Sequence, residues 1–299
     1  MIQKELLIID GTALLFKMYF GGMDLYTPDR IQIGAVFGTT RAVAALIQQH
    51  KSSHVAVVFD AGQRTFRNDL EVEYKANRGD PPPDLIPQFD FVFDACQAMG
   101  CSCFRVPGYE ADDLIATLVR EAKTQDFPVT MVTDDKDVSQ LISDAHNVRQ
   151  FLYSKKAYMS EIQVLEKFGV YPHQMLDFLT MVGDSSDNIK GIHGLGPKSV
   201  SALLQYFGSL DGIYANIQDV EKVPIRGAKS AQQKLIDGKT IVDHTKQLVR
   251  LCDTVELSLP SFQHLRYIGP KLQSRSIFQR LGFNYPYTQL IAYAENHGL

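Results

Sequence analysis

The sequence predicts an α/β protein: a mostly parallel central sheet with helices on both faces, followed by a mostly helical second half. Three observations predict it. Short apolar runs alternate with helix-patterned stretches through the first half. Most of those runs end in or beside acidic residues. After about residue 155 the strand patterns largely stop.

In chain order, "ELLIID" (5–10), "HVAVVFD" (54–60), "CSCFRV" (101–106) and "VTMVTD" (129–134) read as short buried strands. Helical periodicity falls at about 34–50, 85–99 and 110–125. The segment 64–83, "RTFRNDLEVEYKANRGDPPP", breaks the alternation. It is too polar for a core and suits an exposed helix and loop, or a mobile lid. Helices are then expected in "SEIQVLEKFG", "PHQMLDFLTMVG", "PKSVSALLQYFG", "SLDGIYANI" and "KSAQQKLIDGKTIVDHTKQLV". Two regions follow: an α/β core over 1–180 that includes 64–83, and a helical region over 181–299.

Composition narrows the class. With 299 residues, 45% hydrophobic and 21% charged, the chain reads as an ordinary globular protein. No apolar run approaches membrane-spanning length, and "MIQKELLIIDG" is not a secretory signal, so a cytoplasmic protein is expected. Cys96, Cys101, Cys103 and Cys252 match no zinc spacing and are expected as free thiols. The net charge is −4, yet residues 188–250 carry nine Lys or Arg against five Asp or Glu, a local +4. A positive face beside a negative pocket suits a polyanion held by one and cut at the other.

The acidic residues gather where a parallel sheet binds its ligands, beyond the carboxyl ends of the strands. Asp10 ends the first strand and Asp60 the second. Glu110, Asp112 and Asp113 follow the third, and Asp134, Asp135 and Asp137 the fourth. Asp184 and Asp187 stand in "GDSSDN". Singly, each group is explained by a turn or a helix cap. Together, such crowding must be relieved by protons or cations. All-oxygen donors with no Cys/His cluster point to hard divalent ions, magnesium first and manganese as its substitute.

"GIHGLGPKSVSALL" (191–204) is not a phosphate-binding loop of the Walker type, because Pro197 stands where the lysine should be. It fits a helix–hairpin–helix over 188–207. Gly191, Gly194 and Gly196 would let backbone amides approach a phosphate, while Lys198 and Ser199 would add side-chain contacts. Arg64, Arg67, Lys75 and Arg78 offer further phosphate contacts, and Phe66 or Tyr74 a surface for stacking on a base.

The motifs "LLIIDG", "VVFDAGQRTFRNDLEVEYKANR", "GYEADDLIATL", "VTDDKDVSQLI" and "GDSSDNIKGIHGLGPKSV" resemble, in order, those of the 5′-nuclease family. That family includes the 5′–3′ exonuclease domain of bacterial DNA polymerase I and the flap endonucleases. No polymerase follows, so the resemblance is to a free-standing bacterial member. It implies a PIN-like core, a helical arch and a helix–three-turn–helix. It also implies magnesium-dependent, two-metal cutting of DNA at single/double-strand junctions, leaving 5′-phosphates. By position, Asp10, Asp60, Glu110, Asp112 and Asp113 match the first metal group, and Asp135, Asp137, Asp184 and Asp187 the second. Whether Asp112 or Asp135 bridges the two stays open. Lys75 and Arg78 match the basic residues at the scissile phosphate, and Tyr74 the aromatic beside them. The hairpin is where the family can hold a potassium ion. Asp134, where a small residue is common, and Lys17, where arginine is frequent, depart from the pattern. A monomer is expected, with DNA bearing a 5′ flap, nick or junction as its partner. An RNA-directed nuclease and a non-catalytic junction-binding module are the rival readings.

Overall fold

The computed structural model describes residues 1–270 and 275–299. Its centre is a six-stranded sheet in the order β3-β2-β1-β4-β5-β6. The strands are β1 (Gln3–Asp10), β2 (Ser52–Val58), β3 (Ser102–Phe104), β4 (Val129–Val132), β5 (Val148–Leu152) and β6 (Ala157–Met159). All pairings are parallel except β5–β6. The chain builds outward from β1 to β3, then returns to the other side of β1 for β4. The strand order therefore reverses between β1 and β4, where an open sheet leaves a ligand crevice at the strands' carboxyl ends.

Strand β1 shows how the sequence makes two faces. Leu6 and Ile8 enter one buried cluster and Leu7 and Ile9 the other, all at 0% exposure. Period-two alternation of branched apolar residues gives both faces a core. One face is covered by α2 (Gly34–His50) and α4 (Ile86–Ala98), the other by α5 (Ala111–Thr124). Helix α1 (Gly11–Phe20) starts directly from β1, with Asp10 as its cap: the Asp10 carboxylate accepts from Ala13 N–H at 2.9 Å.

Strands β5 and β6 go beyond the four the sequence announces. Gln150 lies fully buried in β5, its amide donating to the Thr133 and Asp135 carbonyls and its oxygen accepting from Ser139. A polar residue thus occupies a core position because every polar atom has a partner. Residues 137–141 form a 3₁₀ turn.

The second half holds α6 (Glu161–Phe168), α7 (Met175–Val182), α8 (Pro197–Phe207), α9 (Leu210–Ala215), α10 (Ala228–Asp237) and α11 (Lys239–Val249). The expected helical block 181–299 divides. Tyr267 and the helices α12 (Arg275–Leu281) and α13 (Tyr285–His297) pack back onto the α2 side of the sheet, burying Phe278, Tyr287 and Leu290 there. They belong to the core rather than to the hairpin region. Among the described residues, no helix is long and apolar enough to cross a membrane.

Candidate active site

The crevice outside β1 and β4 collects the acids. Asp10, at 5% exposure, spends one oxygen on the start of α1 and accepts from Thr133 Oγ1 with the other, at 3.0 Å. Thr133 Oγ1 also accepts from Asp135 N–H, so one hydroxyl links the ends of β1 and β4. Asp60 accepts from Ala111 N–H at 2.8 Å, fastening the end of β2 to the first turn of α5. Glu110 caps α5, and Asp112 stands in its first turn.

Burial and mutual repulsion make Asp10, Asp112 and Asp137 reluctant anions. Burial, with Asp60 and Asp135 nearby, pushes the Asp10 carboxyl up to about 7. Burial, with Asp135, Asp184 and Asp187 nearby, pushes Asp137 up to about 7 as well. Asp112 is held well above the ordinary carboxylate range by burial and then by Asp135, Asp10, Asp137 and Glu110. Asp137, Asp184 and Asp187 each bring an oxygen within 4.8 Å of the others. Among the described residues, the buried Asp137 Oδ1 has no hydrogen-bond partner. A buried carboxylate oxygen that makes no hydrogen bond, set among carboxylates and approached by Lys136 Nζ at 3.6 Å, fits a hard divalent cation.

Basic side chains line the same pocket. Lys136 Nζ lies 2.6 Å from Asp184 and 3.6 Å from Asp137. Lys75 Nζ donates to Glu110 at 2.7 Å and lies 3.7 Å from Asp187. The Arg78 guanidinium donates to Asp187. Lys75 has φ +56°, a left-handed conformation that costs a non-glycine residue energy and clusters at functional sites. Burial pulls its ammonium pKa down, but Glu110 and Asp187 outweigh burial and hold it above the ordinary range.

The arch is more firmly docked than a mobile lid. It has one short helix, α3 (Phe66–Leu70), followed by turns. Asn77 donates to the Ser185 carbonyl, Asn188 to the Glu73 carbonyl, and Lys75 N–H to the Asp187 carbonyl. His244 on α11 meets Glu71 at 3.2 Å. The arch is thus held against the 184–188 loop rather than standing free as a lid.

Several expected roles change on geometric grounds. Arg67 is not a surface contact for DNA. It is 2% exposed and forms a bidentate pair with Asp113 at 2.7 and 2.8 Å. Asp113 is fully buried, and both its oxygens are occupied by Arg67 and by the backbone N–H groups of Glu110 and Cys252. It is therefore no metal ligand. Tyr74 is 4% exposed, which removes its ring from any base. It meets the pocket through its hydroxyl, which donates to Glu110 at 3.0 Å. The Asp134 carboxylate is engaged by Ser154 and Lys17. Sequence reasoning passed over Lys136, although its place inside "TDDKD" put it among the acids.

The hairpin has the backbone expected of it. Gly194 has φ +76°. A Cβ on Gly191 would lie 2.2 Å from the Val182 backbone, so only glycine allows that crossing. Ile192 and Leu195 are buried anchors, while Gly194, Gly196 and Lys198 are exposed. A Cβ on Gly196, ahead of α8, would meet nothing within 4 Å. Ser199 is half-buried at the same helix start. The Gly194 carbonyl accepts from Lys234 Nζ at 2.9 Å. At this one carbonyl an ammonium of the chain itself stands where a cation would take an oxygen.

Profiles of known families match in two consecutive pieces. "5'-3' exonuclease, N-terminal resolvase-like domain" covers residues 5–169, and "5'-3' exonuclease, C-terminal SAM fold" covers 170–272. The chain belongs to the 5'-3' exonuclease family. It is 31% identical over 260 residues to a 5'-3' exonuclease of Buchnera aphidicola, covering 87% of this chain and 90% of that one. It is 36% identical over 263 residues to a DNA polymerase I of Rhizobium leguminosarum, covering 85% of this chain and 25% of that one. The chain thus spans about a quarter of that polymerase's length. Its fold is similar to that of the bacteriophage T5 flap endonuclease, solved as a complex with DNA and metal ions. The TM-score there is 0.68 at 21% identity, covering 97% of this chain and 99% of that one.

Proposed function

We propose that this 5'-3' exonuclease family member is a divalent-metal-dependent 5′–3′ exonuclease and flap endonuclease. It hydrolyses DNA phosphodiesters at junctions of single and double strand and leaves 5′-phosphates. Clearing displaced 5′ strands in replication and repair would be its setting. The observation that carries this reading is the convergence of Asp10, Asp112, Asp135, Asp137, Asp184 and Asp187 at one sheet edge, with Asp10, Asp112 and Asp137 forced up in pKa. The named oxygens would hold two ions, magnesium with manganese as substitute. When bound, such ions polarise a phosphate and stabilise charge on the leaving oxygen.

The protein's own groups do the rest. Glu110 and Asp60, anchored on the first turn of α5, keep that helix start aimed at the crevice. Lys75 and Arg78, at the pocket rim, can exchange a carboxylate oxygen for a phosphate oxygen and so draw the scissile group toward the acids. Gly194, Gly196, Lys198 and the start of α8 grip duplex backbone without reading bases. The test is a 5′-labelled DNA flap with magnesium, with EDTA, and with Asp135→Ala protein, beside an RNA flap of the same shape. Cutting is expected only of DNA, with magnesium and the unaltered chain. Cutting that survives chelation or the substitution overturns the metal reading, and equal cutting of RNA overturns the substrate.

A further inference from the structure

We propose that Arg67 is a positioning residue that ties the metal-binding carboxylates to the duplex-gripping half of the chain; this rests on the metal-site reading above. Four of its five N–H groups make hydrogen bonds. Nη1 and Nη2 donate to Asp113 at 2.7 and 2.8 Å, Nε to the Leu248 carbonyl at 2.8 Å, and Nη2 also to the Arg250 carbonyl at 3.0 Å. Asp113 in turn accepts from Cys252 N–H at 2.8 Å and from Glu110 N–H at 3.1 Å. One buried pair therefore joins three segments: the root of the arch, the first turn of α5, and the chain leaving α11.

The two outer segments both reach functional surfaces. The α5 turn carries Glu110 and Asp112, and Arg67 Nη1 lies 3.5 Å from Glu110 Oε2. Helix α11 reaches the chain entering the hairpin, where Thr245 Oγ1 donates to the Lys190 carbonyl at 2.7 Å. A buried ion pair is often replaceable by apolar side chains without loss of stability, so stability alone does not call for it. A planar, bidentate fork does something apolar packing does not: it fixes direction. Here it fixes the carboxylate that caps Glu110, and with it the turn bearing Asp112.

The experiment uses the full chain as Arg67→Lys, Arg67→Gln, Asp113→Asn and the paired R67M with D113L, each first shown to melt cooperatively. Calorimetry reads calcium binding with and without a nicked duplex, and duplex binding is read separately in EDTA. Calcium affinity is expected to fall roughly 10- to 100-fold in Arg67→Gln and in the paired variant, with partial recovery in Arg67→Lys. Duplex binding in EDTA should stay within about threefold, and the gain in calcium affinity on adding duplex should shrink. Wild-type calcium affinity in a folded Arg67→Gln or paired variant would show a purely structural pair. Duplex binding that falls in step with calcium affinity would restore Arg67 as a DNA contact. If Arg67→Gln does not fold, Arg67→Lys and the paired variant decide. An unaltered chain that binds no calcium would overturn the metal-site reading itself.

Discussion

Asp112 feels burial and then four neighbouring carboxylates, more than its own helix start can neutralise. Asp112→Asn should cut cleavage more than about 100-fold, since a catalytic ion contributes several kcal/mol and each 1.36 kcal/mol is tenfold. Duplex binding in EDTA should hold or tighten, because a negative charge near phosphate is gone. Single-turnover rates beside a binding titration check both. Lys75, bent into its left-handed turn to reach Glu110, should behave differently from a plain DNA grip. Lys75→Ala is expected to slow cleavage at least about tenfold more than it weakens binding, and equal losses would make it a grip alone. At this scale the sequence conveyed which residue types gather, because acids at strand ends follow from strand spacing. It did not convey which of them are already engaged. Arg67 finds its carbonyl partners at Leu248 and Arg250, more than 180 positions along the chain, and no local pattern announces such a meeting.

Among the elements, the first four strands were legible from their apolar runs, and β5, with two adjacent long polar residues, was not. β1 and β4 matched their apolar runs, whereas "VRQFL" in β5 was hidden by Arg149 and Gln150, whose polar atoms are satisfied by partners outside the segment. The hairpin was legible because glycine spacing reflects a backbone need. Its exposed Lys198 sits in the first turn of α8. Lys198→Ala should weaken duplex binding alike for all sequences and reduce the slope of log affinity against log salt by about 1. An unchanged slope would mean that this helix start does not touch the backbone.

For the whole molecule, the crowded acids set a pH dependence. Asp10 and Asp137 keep their protons in the folded chain up to about 7, against 3.8 for an ordinary aspartate. Between roughly pH 4 and 7 the folded state binds more protons than the unfolded one, so stability falls as pH rises through that window. In EDTA, Tm should therefore be lower at about pH 8 than at about pH 5, within the share these groups control. Magnesium should raise Tm, and raise it more at the higher pH. A Tm in EDTA that climbs across the window would count against crowded acids. The α/β class was legible at this scale, but the return of α12 and α13 to the sheet was not, because amphipathic helices do not state which face they will cover. The tethered cations on the pocket, Lys75, Arg78 and Lys136, give binding a further character. The crevice is built like an ion-exchange resin supplied with its own counter-ions. A divalent ion held by Asp137, Asp184 and Asp187 would compete with these cations for the same oxygens, and a freed ammonium would then stand beside the phosphate that needs it.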